Sequence, residues 1–312
     1  MSDRIDLSII IVSYNVKDHL LACLGSITAT CRDIAHEIIV VDNNSNDGLP
    51  EATKEKHPEI KLIANKENRG FAAANNQGYE IAVGEYILLL NPDTAVKPGA
   101  VRTVLEFMKQ TPDAGLAACR LLNDDGSLQR SVKRLPSITG NLMQALFLDR
   151  LFFPEYRNSF YYRSRPFRIG YPSGAFMMVR REALKGSPPL NENYFMYSEE
   201  KDLAWRLNQD GYGCYFVPGA EVIHYGGKST DQMAEAMFLE LQKSQIKYID
   251  TYYAGLKNIS MHWSYWLLLL THFAASIFSI FTKYGRYRLR LMRLALASYT
   301  NYLLTIYEKY NN

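Results

Sequence analysis

Glu85-Tyr86-Ile87-Leu88-Leu89-Leu90-Asn91-Pro92-Asp93-Thr94 reads as a buried strand that ends on a polar turn carrying a carboxylate. A short, unbroken apolar run bounded by Pro is what a strand covered on both faces requires. In open α/β sheets, ligands gather in the crevice beyond the carboxyl ends of the strands. A hard divalent cation that carries phosphates is usually held by only one or two protein carboxylates. Asp93 is therefore the first candidate metal ligand, and a phosphate-bearing nucleotide is the ligand class that such an edge suits.

Outward from this strand, apolar runs of similar length recur at Leu7 to Val12, Glu37 to Val41, Ile60 to Ile63 and Gly115 to Ala118. Segments of helical pattern lie near residues 17–30, 50–57, 70–83 and 98–110, and Pro98 suits a first helical turn. This alternation predicts βαβ units and an α/β fold, a Rossmann-like, mostly parallel sheet flanked by helices. Tyr171 to Val179 predicts another strand, and Glu199 to Gln209 a helix closed by Gly211. Between Leu121 and Ile169 the pattern loosens into Asn123-Asp124-Asp125-Gly126-Ser127 and the aromatic, basic stretch Arg157 to Arg168. Such an insertion is expected to be a lid, an acceptor loop or disorder.

Bulk properties narrow the class. A chain of 312 residues with 47% apolar content can bury a substantial core. Its 35 basic and 32 acidic residues leave a net charge of +3, which gives no argument for nucleic acid as a partner. Cys23, Cys31, Cys119 and Cys214 form no C-x-x-C pair, so reduced thiols in a cytosolic setting are expected rather than disulfides or zinc. The apolar run between Asp6 and Ser13 is too short for a signal-peptide core, so a cytoplasmic location is expected.

The C-terminal part has a different character. Asp231 to Tyr253 reads as a helix, and Trp263 to Thr282 then contains no Asp, Glu, Lys or Arg. Thr271, His272, Ser276 and Ser279 make it a weak span, since crossing a bilayer needs about 20 predominantly apolar residues. Lys283, Arg286, Arg288, Arg290 and Arg293 alternate with Tyr284, Tyr287, Leu289, Leu291 and Met292, the basic amphipathic pattern that meets anionic headgroups. The expectation is an α/β domain over residues 1–230 and a C-terminal helical extension over 231–312 that lies on the cytoplasmic face of the membrane. A buried hairpin or a homodimer contact is the competing reading of that extension.

Other polar residues cluster at strand ends. Asp42, closing Val40-Val41, can accept from a base or a ribose hydroxyl, or can cap the following helix. Ser13-Tyr14-Asn15 after the first strand could be turn residues or ligand contacts. Asn68-Arg69-Gly70-Phe71 offers a guanidinium beside a helix start, which suits an anion such as diphosphate. Glu199, Glu200 and Asp202 stand at a helix start, where acids also favour the helix dipole. Glu199 and Asp202 share a helical face, while Glu200 projects about 100° away. His224, after an apolar stretch and before Gly226-Gly227-Lys228-Ser229, could ligate a metal or be a loop histidine.

Taken in order, these stretches resemble an inverting glycosyltransferase of family 2 with the GT-A fold. The resemblance is carried by Ile9-Ile10-Ile11-Val12-Ser13-Tyr14-Asn15, Val41-Asp42-Asn43-Asn44-Ser45, Asn68-Arg69-Gly70-Phe71, Asn91-Pro92-Asp93, Ser173-Gly174-Ala175 and Glu199-Glu200-Lys201-Asp202-Leu203-Ala204-Trp205-Arg206. It spans roughly residues 6–230 and is most similar to the bacterial rhamnosyltransferases of surface polysaccharide synthesis. It implies that Ser13 and Asp42 hold the nucleoside, Arg69 the diphosphate or base region, and Asp93 the Mg2+ or Mn2+, with His224 near the ion. Asn91 replaces the first acid of the family's metal motif, so a sugar or ribose contact is expected there. Ser173, Gly174 and Ala175 would line the donor-sugar and acceptor pocket. Glu200 maps to the catalytic base, with Glu199 and Asp202 as alternatives. The implied donor is a nucleoside-diphosphate sugar, with dTDP-rhamnose favoured, and the implied acceptor a saccharide, lipid-linked. Two other readings are a sugar-1-phosphate nucleotidyltransferase and a catalytically silent membrane-attached scaffold. The first should carry a Gly-rich loop after its first strand, and Val12-Ser13-Tyr14-Asn15-Val16-Lys17 has no glycine.

Overall fold

The computed structural model describes residues 5–226 and 234–311. The chain opens with β1 (Leu7–Ser13), α1 (Lys17–Thr30), β2 (His36–Asp42), α2 (Leu49–Lys56), β3 (Lys61–Ala64), α3 (Phe71–Ile81) and β4 (Tyr86–Leu90). These alternate as the apolar pattern requires. A three-residue strand β5 (Thr94–Val96) follows, then α4 (Ala100–Gln110) and the long β6 (Ala114–Leu122). The loose stretch resolves into β7 (Leu128–Gln129), β8 (Val132–Lys133), α5 (Ile138–Ala145), α6 (Asp149–Phe152), α7 (Asn158–Tyr161), β9 (Phe167–Arg168) and β10 (Tyr171–Pro172). The sheet is completed by β11 (Phe176–Arg180) and, after α8 (Glu199–Gln209), by β12 (Gly213–His224).

Strand order is β3-β2-β1-β4-β11-β6-β12-β5. The strands β1 to β4 pair in parallel, as do β6 and β12, whereas β11 is antiparallel to both β4 and β6. The carboxyl ends of β1, β2, β4, β6 and β12 therefore line one edge of the sheet. Side chains along β1 alternate between two cores. Leu7, Ile9 and Ile11 pack with Leu20, Leu24 and Ile27 of α1 and Val101, Val104 and Met108 of α4. Ile10 and Val12 pack with Ala72 and Ala74 of α3 and Leu203, Ala204 and Leu207 of α8. Each fully buried side chain of this kind contributes about 1.5–3 kcal/mol. Close approach of α3 to β1 depends on Gly78, because a Cβ there would lie 2.5 Å from Ile10 Cγ2.

Four details differ from the sequence reading. Tyr171 to Val179 is not one strand: β10 pairs with β8, β11 pairs with β4 and β6, and Ser173-Gly174-Ala175 makes the change of partner. Pro98 lies ahead of its helix, which starts after Gly99 in a left-handed conformation (φ 78°). Short β5 was not anticipated; its three residues pair antiparallel with β12. Finally, residues 136–156 leave the sheet unit. They group with residues 234–311 in a second compact unit, and residues 5–135 and 157–226 form the first.

That second unit is helical, comprising α5, α6, α9 (Ala234–Tyr252), α10 (Gly255–Ile277) and α11 (Lys283–Asn311). Asn141 Nδ2 donates to Ser264 Oγ at 2.9 Å, and Tyr253 Oη donates to Pro136 O at 2.8 Å. Buried His262 bridges Asp250 (2.9 Å) and Tyr299 (2.6 Å), a polar link that fixes how the helices register. No helix among the described residues is long and apolar enough to cross a membrane. Gly227-Lys228-Ser229 and the expected helix start at Asp231 lie outside the described residues.

Candidate active site

The turn after β4 is built to present Asp93. Thr94 Oγ1 donates to Asn91 O at 2.8 Å, and Cys23 Sγ of α1 packs beneath it, 3.4 Å from Thr94 Oγ1. Burial pushes the Cys23 thiol up to about 12, so it is a packing group rather than a nucleophile. Pairing of β12 with β5 places His224 opposite Thr94. The imidazole Nε2 then lies 3.4 Å from Asp93 Oδ1 and 3.4 Å from Asn91 Nδ2. On its other side, Nδ1 lies 2.6 Å from Gln129 Oε1. Gln129 Nε2 donates to Asn123 Oδ1 (3.1 Å) and His224 O (3.2 Å), so its oxygen is the atom left to face the ring. The proton is thereby assigned to Nδ1, and Nε2 turns a lone pair toward Asp93.

This pair can be tested as a cation site. Two donors that share an octahedral ion at about 2.1 Å each lie about 3 Å apart. The observed 3.4 Å fits one ion between Asp93 Oδ1 and His224 Nε2. Among the described residues no group of three or more His, Cys, Asp or Glu side chains converges on one point. Two protein donors suit an ion whose remaining positions are taken by phosphates and water.

Along the same edge, Ser13 pairs in register with Asp42, and both are buried. Ser13 Oγ has no hydrogen-bond partner in the protein, which is unusual for a buried hydroxyl and suits a ligand contact. The Asp42 carboxyl is raised by burial, against the bonds from Ser45 that lower it. Asp42 does not cap α2, whose N-cap is Gly48. Asn15 serves the turn: its N–H donates to Ser45 Oγ (2.9 Å), and its Oδ1 accepts from Asn46 N (2.8 Å). Tyr14 is half-buried beside it.

Asn43 organises the segment that carries Arg69. Its Nδ2 donates to Asn68 Oδ1 (2.8 Å) and Gly70 O (3.2 Å), and its Oδ1 accepts from Asn65 Nδ2 and Arg69 N, both at 3.1 Å. Arg69 itself is exposed. Gly70 adopts φ +81°, and a Cβ there would lie 2.6 Å from Phe195 O. Phe71 N donates to that same oxygen at 2.9 Å, which ties the Asn68-Arg69-Gly70 loop to the segment leading into Glu199 and Glu200. Phe71 also borders the sugar-pocket candidates, since a Cβ on Gly174 would lie 3.8 Å from its Cζ. Ala175 O in turn accepts from Asn91 N at 3.0 Å. Backbone hydrogen bonds thus join Asn91 to Ala175 and Phe71 to Phe195, and the Phe71 ring lies beside Gly174.

The acids of α8 are sorted by their partners. Asp202 is fully buried, accepts from Arg206 Nε at 2.8 Å and from Asn191 Nδ2 at 3.2 Å, and anchors the helix. Glu199 is buried with Oε2 unpartnered; burial first and the charge of Glu200 second hold its carboxyl well above the usual range. Burial lowers the neighbouring Lys201 to about 7, against the pull of Glu200. Tyr197 and Ser198, immediately before, both have positive φ (68° and 73°). Non-glycine residues held there cost about 1–3 kcal/mol each, the kind of strain that collects at functional sites.

Sequence reasoning missed Gln129 and the organising role of Asn43. The first has no local signal, because Gln129 and His224 are 95 residues apart. Asn43 could have been found, since it follows Asp42 at a strand end where a buried amide must be satisfied.

The sheet order and the edge site define a GT-A fold. Solved glycosyltransferases share it: a mannosyltransferase from Pyrobaculum calidifontis in complex with GDP-Man and Mn2+ superposes with a TM-score of 0.61 at 17% identity, over 95% of this chain and 86% of that one. GalNAc-T7 with UDP, GalNAc and Mn2+ gives a TM-score of 0.54 at 16% identity, over 72% of this chain and 44% of that one. The chain belongs to glycosyl transferase family 2, whose model matches residues 8–186. It is 28% identical over 277 residues to an N-acetylglucosaminyl-diphospho-decaprenol L-rhamnosyltransferase of Mycobacterium tuberculosis, covering 83% of this chain and 88% of that one. Rhamnosyltransferase WbbL of Escherichia coli is 26% identical, over 77% of this chain and 91% of its own. The activity is therefore glycosyl transfer, and the resemblance is to rhamnosyltransferases.

Proposed function

We propose that this glycosyltransferase moves rhamnose, with inversion, from dTDP-rhamnose to a lipid-linked saccharide at the cytoplasmic face of the membrane. The 3.4 Å approach of Asp93 and His224 at the sheet edge is the observation that carries a metal-dependent nucleotide-sugar reaction. The choice of rhamnose is supported by the two relatives named above, and a diphospholipid acceptor by the mycobacterial one.

In this reading Ser13 and Asp42 bind the nucleoside, and the Arg69 guanidinium meets the diphosphate. Asn91 contacts the sugar or ribose, and Ser173, Gly174 and Ala175 shape the pocket. Mg2+ or Mn2+, held by Asp93 Oδ1 and His224 Nε2, would supply charge neutralisation for the departing diphosphate. Glu200 is the base. Burial and the charge of Glu200 push the Glu199 carboxyl up, and Asp202 is engaged by Arg206, which favours Glu200 among the three. The Glu200 carboxylate accepts the proton of the acceptor hydroxyl as that oxygen attacks the anomeric carbon. The bond from that carbon to the diphosphate oxygen breaks, its electron pair leaves with the nucleoside diphosphate, and one displacement inverts the centre.

A donor screen tests this, with nucleoside diphosphate release measured against a polyprenyl-diphosphate saccharide. Release with dTDP-rhamnose, together with an inverted anomeric linkage in the product, is the expected result. Release with a different donor sugar would replace rhamnose, and binding without release would favour the silent scaffold.

A further inference from the structure

The segment that leaves the sheet unit exposes Leu142, Leu146, Phe147, Leu151 and Phe152, the last three 51%, 63% and 64% accessible. The turn between α10 and α11 does the same with Ile277, Phe278, Ile280, Phe281 and Tyr284, and Phe278 and Phe281 are 86% and 89% accessible. Such a concentration of large apolar side chains marks an interaction surface. Both sets belong to one end of the helical unit. Phe147 stacks on His272 of α10 at 5.1 Å with an 8° interplanar angle, and Asp149 and Arg288 both act electrostatically on that imidazole.

Charge selects the occupant. Between Thr251 and Tyr307 there is no Asp or Glu, whereas Lys257, Lys283, Arg286, Arg288, Arg290 and Arg293 are all present. Arg290 is paired with Glu235, while Lys283, Arg286 and Arg293 are exposed around the apolar turn. A second copy docked here would bring like charges together. Anionic headgroups would meet the cations while Phe and Leu side chains enter the acyl boundary. No helix among the described residues is long and apolar enough to cross, and a basic, aromatic-rimmed apolar surface suits a contact in the plane of the interface.

We infer that residues 142–152 and the α10–α11 turn form one bipartite surface that seats in an anionic phospholipid interface. This deepens the membrane location proposed above by assigning half of the contact to a mid-chain segment. That segment is then a membrane foot.

Flotation of the full chain tests it, with vesicles of equal parts phosphatidylglycerol and phosphatidylcholine against phosphatidylcholine alone. Wild type should float with the anionic vesicles and be released by salt. Phe147→Glu with Phe152→Glu, which leaves every cation in place, should weaken partitioning at least tenfold, as should Phe278→Ser with Phe281→Ser. The milder Phe152→Ser, checked by thermal melting, covers the case in which the double charge change unfolds the unit. Unchanged flotation of the folded mid-chain variants would overturn the bipartite surface. So would equal binding to neutral vesicles, or a dimer in sedimentation that these variants dissociate without changing flotation. Flotation uses no donor and no turnover, so an inactive wild type would sink the transfer reading and leave this one standing.

Discussion

Replacing Gln129 with Leu removes the acceptor that holds the Nδ1 proton of His224. In the wild type that contact is 2.6 Å, and the amide cannot flip without placing its amino group against the ring and its oxygen against Asn123 Oδ1 and His224 O. A neutral hydrogen bond contributes about 0.5–1.5 kcal/mol net, a shift of about two- to twelvefold between the two tautomers. Loss of ring orientation adds to this, and removal of such supporting contacts generally costs about 10–100-fold in metal affinity. Two measurements on the resting protein are expected to agree. Heteronuclear NMR of the imidazole nitrogens should show the Nδ1–H tautomer in the wild type and a mixture in Gln129→Leu. Mn2+ titration followed by electron paramagnetic resonance should show the weakened site, and Gln129→Glu, which keeps an acceptor, should recover most of the affinity. An unchanged tautomer with unchanged Mn2+ affinity in Gln129→Leu would refute the assignment of His224.

Three further outcomes are expected. Asp93→Ala should abolish the dependence of donor affinity on Mn2+ in calorimetry; a metal response equal to wild type would remove Asp93 from the ion. Gly70→Ala must relieve a 2.6 Å contact and a φ of +81°, so it should lose about 1–3 kcal/mol in urea unfolding and lower turnover by displacing Phe195; wild-type values for both would show the loop to be uncoupled from Glu200. Lys201, lowered by burial from its ordinary 10.5 to about 7, is neutral in the folded chain and charged in the unfolded one between those values. Its burial therefore opposes folding most below pH 7, and this cost fades as pH rises toward 10.5. Lys201→Met should raise the melting temperature at pH 7, by a free energy of several kcal/mol, and the gain should shrink at pH 10; a pH-independent difference would contradict the shift.

The parts of the fold that were legible in the sequence are those decided by local pattern. The runs Leu7 to Val12 and Tyr86 to Leu90 are apolar at every position that two-sided burial demands, apart from Ser8, whose hydroxyl donates to Glu37 at 2.5 Å. Helix α8 begins and ends where acids and Gly211 indicate. Legibility failed wherever a neighbour distant in sequence decides the outcome. The break at Ser173-Gly174-Ala175 exists because β10 and β11 find different partners, and nothing in Tyr171 to Val179 records that. Residues 136–156 carry helix-length apolar spacing too short to reveal that α10 is their partner. At the site, Asp93, Asp42 and Ser13 could be read as strand ends, whereas the contact of Gln129 with His224 needs both β7 and β12 in place. Asp202 shows the reverse limit: an acid at a helix start suits a base, and its bonds to Arg206 and Asn191 are visible only in the folded chain.

In the proposed reaction Glu200 completes a site whose donor half lies at the ends of β1, β2 and β4. The decisive measurement follows Glu200→Gln in two ways, donor binding by calorimetry and nucleoside diphosphate release in the presence of acceptor. Donor affinity should stay within about twofold of wild type while turnover falls by about 10²–10⁴, the range for loss of a general base. Retention of most of the turnover in this variant would contradict it.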